Sequence, residues 1–198
     1  MSKKDKDTMV NNLNPNYLTG KILIASPSMI DSGFDKNIIY ICEHSPDGAM
    51  GIILNQPIKE IYLPDILNQL NLKTINQLFD THVYFGGPVD TSRGFILHSP
   101  DYQTPGTIKV GNQISLSSSK ETLNSIANGK GPREFFIAFG YAGWSNGQLD
   151  QEIKENSWLH TEVDNNILWK CEDKKKWLEC LSKIGITPSS YVNVTGSA

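Results

Sequence analysis

The chain has 198 residues, 38% of them apolar and 20% charged, which is enough for one domain with a substantial core. Its net charge is −3, and only two of its 18 basic residues are arginines, Arg93 and Arg133. A duplex-binding surface gathers Arg and Lys on one face because phosphate contacts supply most of its affinity, so sequence-specific DNA binding is not expected.

Residues 1–16 are polar and rich in Lys, Asp and Asn, without the apolar stretch of a signal peptide. They are expected to form a mobile N-terminal tail ahead of a single domain over residues 17–198. No later run approaches the ~18 apolar residues of a membrane span. Three cysteines, Cys42, Cys171 and Cys180, make an odd number with no C-x-x-C pair. Reduced thiols and a cytoplasmic location follow as expectations.

In chain order, residues 21–25 (KILIA) read as a strand closed by Ser26-Pro27. Residues 37–43 (NIIYICE) are apolar on both faces and read as a covered central strand, returning through a five-residue turn into residues 50–55. Pro57 is expected to end that hairpin. Pro64 opens an amphipathic segment with Ile66, Leu67 and Leu70 on one stripe. Strands are predicted at 82–85 and 93–98, flanking Gly86-Gly87-Pro88. A helix over 118–128 turns Leu123, Ile126 and Ala127 inward and stops at Gly129, and 134–141 (EFFIAFGY) reads as a second central strand. Ser145 and Gln148 have the spacing of a capping box, with Trp144 and Leu149 placed as a hydrophobic staple, so a helix is expected over 146–155. Short strands are predicted at 158–160 and 167–169. A last helix over 173–183 would bury Trp177, Leu178 and Leu181 and leave Lys174-Lys175-Lys176 as a solvated face. Strands and helices intermingle without regular β-α-β alternation, which points to an α+β fold.

The segments GKILIASP, IIYICEH-x-x-x-GAMGIILNQP, YFGGPV, RGFILH, FGYAGW-x-x-GQLDQEI and LSKIGITP occur here in that order. In this the chain resembles the YqgE/AlgH family from Leu13 onward. The resemblance implies an α+β domain built on a branched, partly barrel-like mixed sheet flanked by helices. It implies little about function: members are mostly described as uncharacterised, one branch carries the label of transcriptional regulator, and no catalytic set comes with the fold. That label sits poorly with a chain lacking a basic stripe or a helix-turn-helix pattern.

Gly143-Trp144-Ser145-Asn146-Gly147 matches the G-x-S-x-G of a nucleophile elbow, but Ser145 reads better as a helix cap. Period-2 geometry puts Cys42 and His44 on one face of their strand and Glu43 on the other. A thiol beside an imidazole is a candidate nucleophile or redox group, and the alternative is a small buried hydrophobe. Gly86 and Gly87 permit close backbone approach, and Arg93 offers a planar fork for carboxylate or phosphate, sharing a face with Phe95 and Leu97. A structural ion pair of Arg93 with Glu43 or Asp90 is the competing account. The leading expectation is a binding domain whose cleft, near Arg93, His98, Glu43, His44 and Asn55, takes a small anionic molecule or a protein segment. The alternatives are thiol chemistry at Cys42 with His44, and the regulator role attached to the family. No metal or cofactor is implied, and a monomer or weak homodimer is expected.

Overall fold

The computed structural model describes residues 17–29, 33–73 and 75–187, so the expected tail at 1–16 lies outside the described residues. Ten strands are present among them: β1 (Lys21–Ala25), β2 (Ile38–Ser45), β3 (Gly48–Ile53), β4 (Pro57–Tyr62), β5 (His82–Phe85), β6 (Val89–His98), β7 (Ile108–Val110), β8 (Ile114–Ser117), β9 (Phe135–Ser145) and β10 (Trp158–Glu162). The helices are α1 (Leu63–Gln69), α2 (Lys120–Ala127), α3 (Gln148–Lys154), α4 (Asn165–Trp169) and α5 (Asp173–Lys183). This is the α+β architecture expected from the sequence.

An antiparallel path runs β10-β1-β2-β3-β9-β6-β8-β7, and it curls into a half-barrel. The curl is closed across the sheet by Tyr40, whose hydroxyl donates to the Val110 carbonyl at 2.7 Å. One face carries Tyr40, Leu54, Phe95, Leu97, Leu116 and Phe136 in a single core, and α4 and α5 fill part of it with Leu168, Trp177 and Leu181. The other face buries two separate cores, one under α3 with Trp144, Leu149 and Trp158, the other under α1 and α2 with Leu63, Leu67 and Ile126.

β9 is where the sheet branches. One of its edges pairs with β6, while the opposite edge is shared by β3 near Ala142–Ser145 and by β5, parallel, at Ala138 and Phe139. Gly86 bridges the fork, donating its N–H to Phe139 O at 2.7 Å and accepting from Ile53 N at 2.9 Å. The chain then crosses β9 backbone on backbone to reach the other edge. A Cβ on Gly87 would stand 2.1 Å from the Tyr141 carbonyl carbon, and one on Gly140 would stand 2.3 Å from the Gly87 oxygen. The glycine pair is therefore a crossing that no side chain can share.

Several sequence expectations are corrected. Residues 165–169 form α4 rather than a strand over 167–169, because the Asp164 carboxylate caps Asn166 N and Ile167 N at 2.9 and 3.3 Å. Pro57 begins β4 instead of only ending the hairpin. Ser145 is the last residue of β9, and α3 starts after Gly147; Gln148 still takes the Ser145 N–H at 2.9 Å, so half of the capping box is built. Leu70 and Leu178 face solvent. In α5 the buried stripe is Lys176, Trp177, Cys180 and Leu181. Lys176, read as solvated, is only 3% exposed. Its ammonium is held by Leu54 O at 3.0 Å and by Asp173 at 2.9 Å, beside the Tyr84 and Phe136 rings. Gly87→Ala is expected to cost about 3 kcal/mol or more, the scale of overpacking without room to relax. Urea unfolding of the variant measures it, and a near-wild-type midpoint would show that the crossing can open.

Candidate functional site

The part of the half-barrel's inner face that α5 leaves uncovered is an open groove of about 730 Å³. Its floor is apolar, from Met50, Phe95, Val110 and Leu116, and its rim carries Glu43, Asp47, Arg93 and Tyr141. Arg93 reaches it through an irregular stretch of β6. Between Val89, opposite Tyr141, and Gly94, opposite Phe139, five residue steps along β6 face two along β9. The guanidinium lies over the Phe95 ring at 5.0 Å, and Phe95 meets Tyr141 edge-on at 6.0 Å. The expected shared face of Arg93, Phe95 and Leu97 is therefore present. The ion pair of Arg93 with Glu43 or Asp90 is absent: among the described residues no carboxylate lies within 4.0 Å of it.

Cys42 and Glu43 also border the groove, but His44 does not, and the expected common face of Cys42 and His44 is corrected. Ile41 pairs with Gly51 and Glu43 with Met50, so Cys42 is the unpaired residue of a bulge, and alternation breaks there. Cys42 turns into the inner core with Tyr40. His44 turns to the far side, where Leu18 N donates to Nδ1 at 3.2 Å, Asp150 lies 3.7 Å from Nε2 and the Tyr17 ring packs at 5.1 Å. Burial, with Glu43 as a smaller contribution, pushes the Cys42 thiol far above its ordinary range, which is the reverse of an activated thiolate.

The remaining candidates do structural work elsewhere. Asn55 accepts from Ile38 N at 3.1 Å and donates to Lys36 O at 2.9 Å, tying the entry of β2 to the exit of β3. Gly86 and Gly87 form the crossing described above. His98 is fully buried on the face opposite the groove, with Nδ1 2.9 Å from Ser99 O and Nε2 3.0 Å from Ser117 Oγ. Burial holds it below the ordinary imidazole value, so it is neutral near pH 7; the Ser99 carbonyl and Asp101 oppose that only in part. A carbonyl only accepts, so Nδ1 carries the proton and Nε2 accepts from Ser117. Ser117 is thereby a buried link toward Thr107, Thr104 and Thr122. Ser145 has no hydrogen bond to a histidine among the described residues, which leaves the nucleophile-elbow match without a base.

Sequence reasoning missed Asp47, Tyr141 and Met50 in the groove. It also missed a clamp in which Trp144 and Trp158 both donate to one oxygen of Glu152 at 2.8 Å, while Gln148 donates to the other at 2.9 Å. The only signal for that clamp was the i,i+4 spacing of Gln148 and Glu152.

Two outcomes follow. With an Ellman-type reagent one thiol of the native protein, that of half-buried Cys171, should react, while Cys42 and Cys180, both raised by burial, react only on unfolding. Rapid native labelling of Cys42 would restore the thiol reading. Second, folded His98 binds a proton more weakly than unfolded His98, whose ordinary value is 6.5. Its contribution is complete above that value and is lost as the pH falls below it, so unfolding free energy should drop as the solution is acidified through about pH 6.5. His160, also held below its ordinary value by burial and by Lys21, acts in the same direction. His98→Gln should show a shallower decline from a lower starting stability; an unchanged slope would contradict the assignment.

The family model described as AlgH-like matches residues 22–189 of this chain. A UPF0301 protein of Rhodospirillum rubrum is 43% identical over 182 residues, covering 92% of this chain and 95% of the relative. Another, from Afipia carboxidovorans, is 44% identical over 190 residues, covering 92% and 90%. Among solved structures, the solution structure of the AlgH protein of Pseudomonas aeruginosa superimposes with a TM-score of 0.75 at 34% identity, covering 93% of this chain and 97% of that one. A Corynebacterium diphtheriae protein shares the fold with a TM-score of 0.70 at 18% identity, covering 88% and 91%.

Proposed function

The chain belongs to the AlgH-like family, and on that premise we propose that it is a binding domain whose ligand sits in the mouth of the half-barrel and presents an anionic group to Arg93. The observation that carries this reading is Arg93 itself. A guanidinium at the wall of an open groove, oriented by the Phe95 ring and free of any carboxylate within 4.0 Å among the described residues, has its fork of donors available. The apolar floor supplies burial for the body of the ligand, and a few convergent polar groups fix its orientation. No membrane anchorage is needed for this role, and no described helix is long and apolar enough to cross a membrane. The thiol alternative needs Cys42 and His44 together, and the bulge at Cys42 separates them.

A thermal-shift screen against small anionic metabolites and short peptides tests the proposal without presuming a reaction. A true ligand at one hundred times its dissociation constant should add about 2.7 kcal/mol of stability. Arg93→Lys should keep the unliganded melting temperature and lose most of that gain, because a point charge cannot reproduce bidentate contacts. A ligand that stabilises Arg93→Lys as much as wild type would remove Arg93 from the site.

A further inference from the structure

The charges on the rim narrow the class of ligand, an inference that rests on the binding reading above. Glu43 stands near the end of β2 and Asp47 at the tip of the β2–β3 hairpin; both are exposed and border the same groove as Arg93. Neither carboxylate has an ion-pair partner among the described residues, and neither does Arg93. The strand path places β3 and β9 between β2 and β6. Glu43 and Arg93 thus stand on separate walls of the groove, with two strands between theirs. Among the described residues no ion pair joins these carboxylates to the guanidinium, so both signs of charge face the groove. The groove holds a fixed dipole, negative at the hairpin and positive at β6, over an apolar floor of Met50, Phe95 and Leu116.

A free amino acid fills only a fraction of a groove of about 730 Å³. An extended segment of about four residues occupies far more of it, with alternate side chains turned to the apolar floor. We infer that the groove binds a short extended peptide segment, placing a basic side chain against Glu43 and Asp47 and a carboxylate on Arg93. Opposite charges at the two ends also set its direction, since the reversed peptide meets like charges at both.

The test uses blocked hexapeptides with a Val-Ser-Val-Ser centre: Lys at the first position and Glu at the last, the reverse order, and Lys/Lys, Glu/Glu and Gln/Gln controls. Binding is followed by calorimetry. One order of the Lys/Glu peptide should bind about tenfold more tightly than every control, and Arg93→Gln and Glu43→Gln should each remove about tenfold. A Glu-to-Gln change in the peptide should matter in wild type and not in Arg93→Gln. All substituted side chains are exposed, and circular dichroism verifies that the variants remain folded. If the Glu/Glu peptide or a small metabolite binds through Arg93 with no effect of Glu43→Gln or Asp47→Asn, the peptide inference fails while the anion-binding reading stands. If nothing in the peptide set or the metabolite screen binds in an Arg93-dependent way, both fall.

Discussion

The whole arrangement turns on the place where Gly87 crosses Gly140 with backbone against backbone. β5 and β6 are separated by only three residues, yet they lie on opposite edges of β9, so the chain must pass over that strand in the space of Gly86-Gly87-Pro88. A Cβ on either Gly87 or Gly140 would stand 2.1 or 2.3 Å from the other segment's backbone, far inside van der Waals contact. This steric fact lets one strand of β9's length organise the molecule, holding β3 and β5 on one edge and β6 on the other. It also leaves β6 to re-enter the sheet out of step, which creates the irregular stretch that ends at Arg93.

From that fork the two faces acquire different fates. The inner face is closed across by Tyr40 to Val110 and filled at one end by α5, where Lys176 brings a charge into the core together with Asp173 and the Leu54 carbonyl. A buried lysine so placed adds directional bonds and a fixed docking position for α5, with both partners needed to offset its desolvation. The end that α5 does not fill is the groove. Its cavity and its apolar floor are consequences of incomplete filling of a half-barrel.

Residue types with the greatest chemical versatility are mostly used as structure here. His98 anchors a line of hydroxyls beneath α2, His44 fastens the segment at Leu18, Asn55 ties two strand ends, and Glu152 binds two indole N–H groups. Each satisfies buried polar groups that would otherwise carry a desolvation cost. Cys42 borders the groove with its thiol sunk in apolar surroundings, which suppresses the ionised form that reactivity requires. The charged groups at the cavity with no ion-pair partner among the described residues, Glu43, Asp47 and Arg93, are those that carry the binding reading.

Local patterns in the sequence determined much of this protein. Alternation in RGFILH placed Arg93 with Phe95 and Leu97 and sent His98 the other way, and the runs at 21–25 and 134–141 marked strands, because side-chain period and burial are properties of a few adjacent residues. The ordered motifs carried the family and with it the α+β architecture. What only the tertiary structure decided depends on residues distant in the chain. Nothing in IIYICEH marks Cys42 as the residue left unpaired against β3, so the shared face of Cys42 and His44 was an error of register. Nothing in the lysine run marks Lys176 as buried, since its partner Leu54 is 122 positions away. Gly86-Gly87 looks the same in sequence whether it turns around a ligand or crosses a strand, and the strand it crosses is more than fifty residues later. The groove itself belongs to this second class: it is built where β2, β3, β9, β6, β8 and β7 curl together, and curvature of a sheet is written in how its strands meet rather than in any one of them.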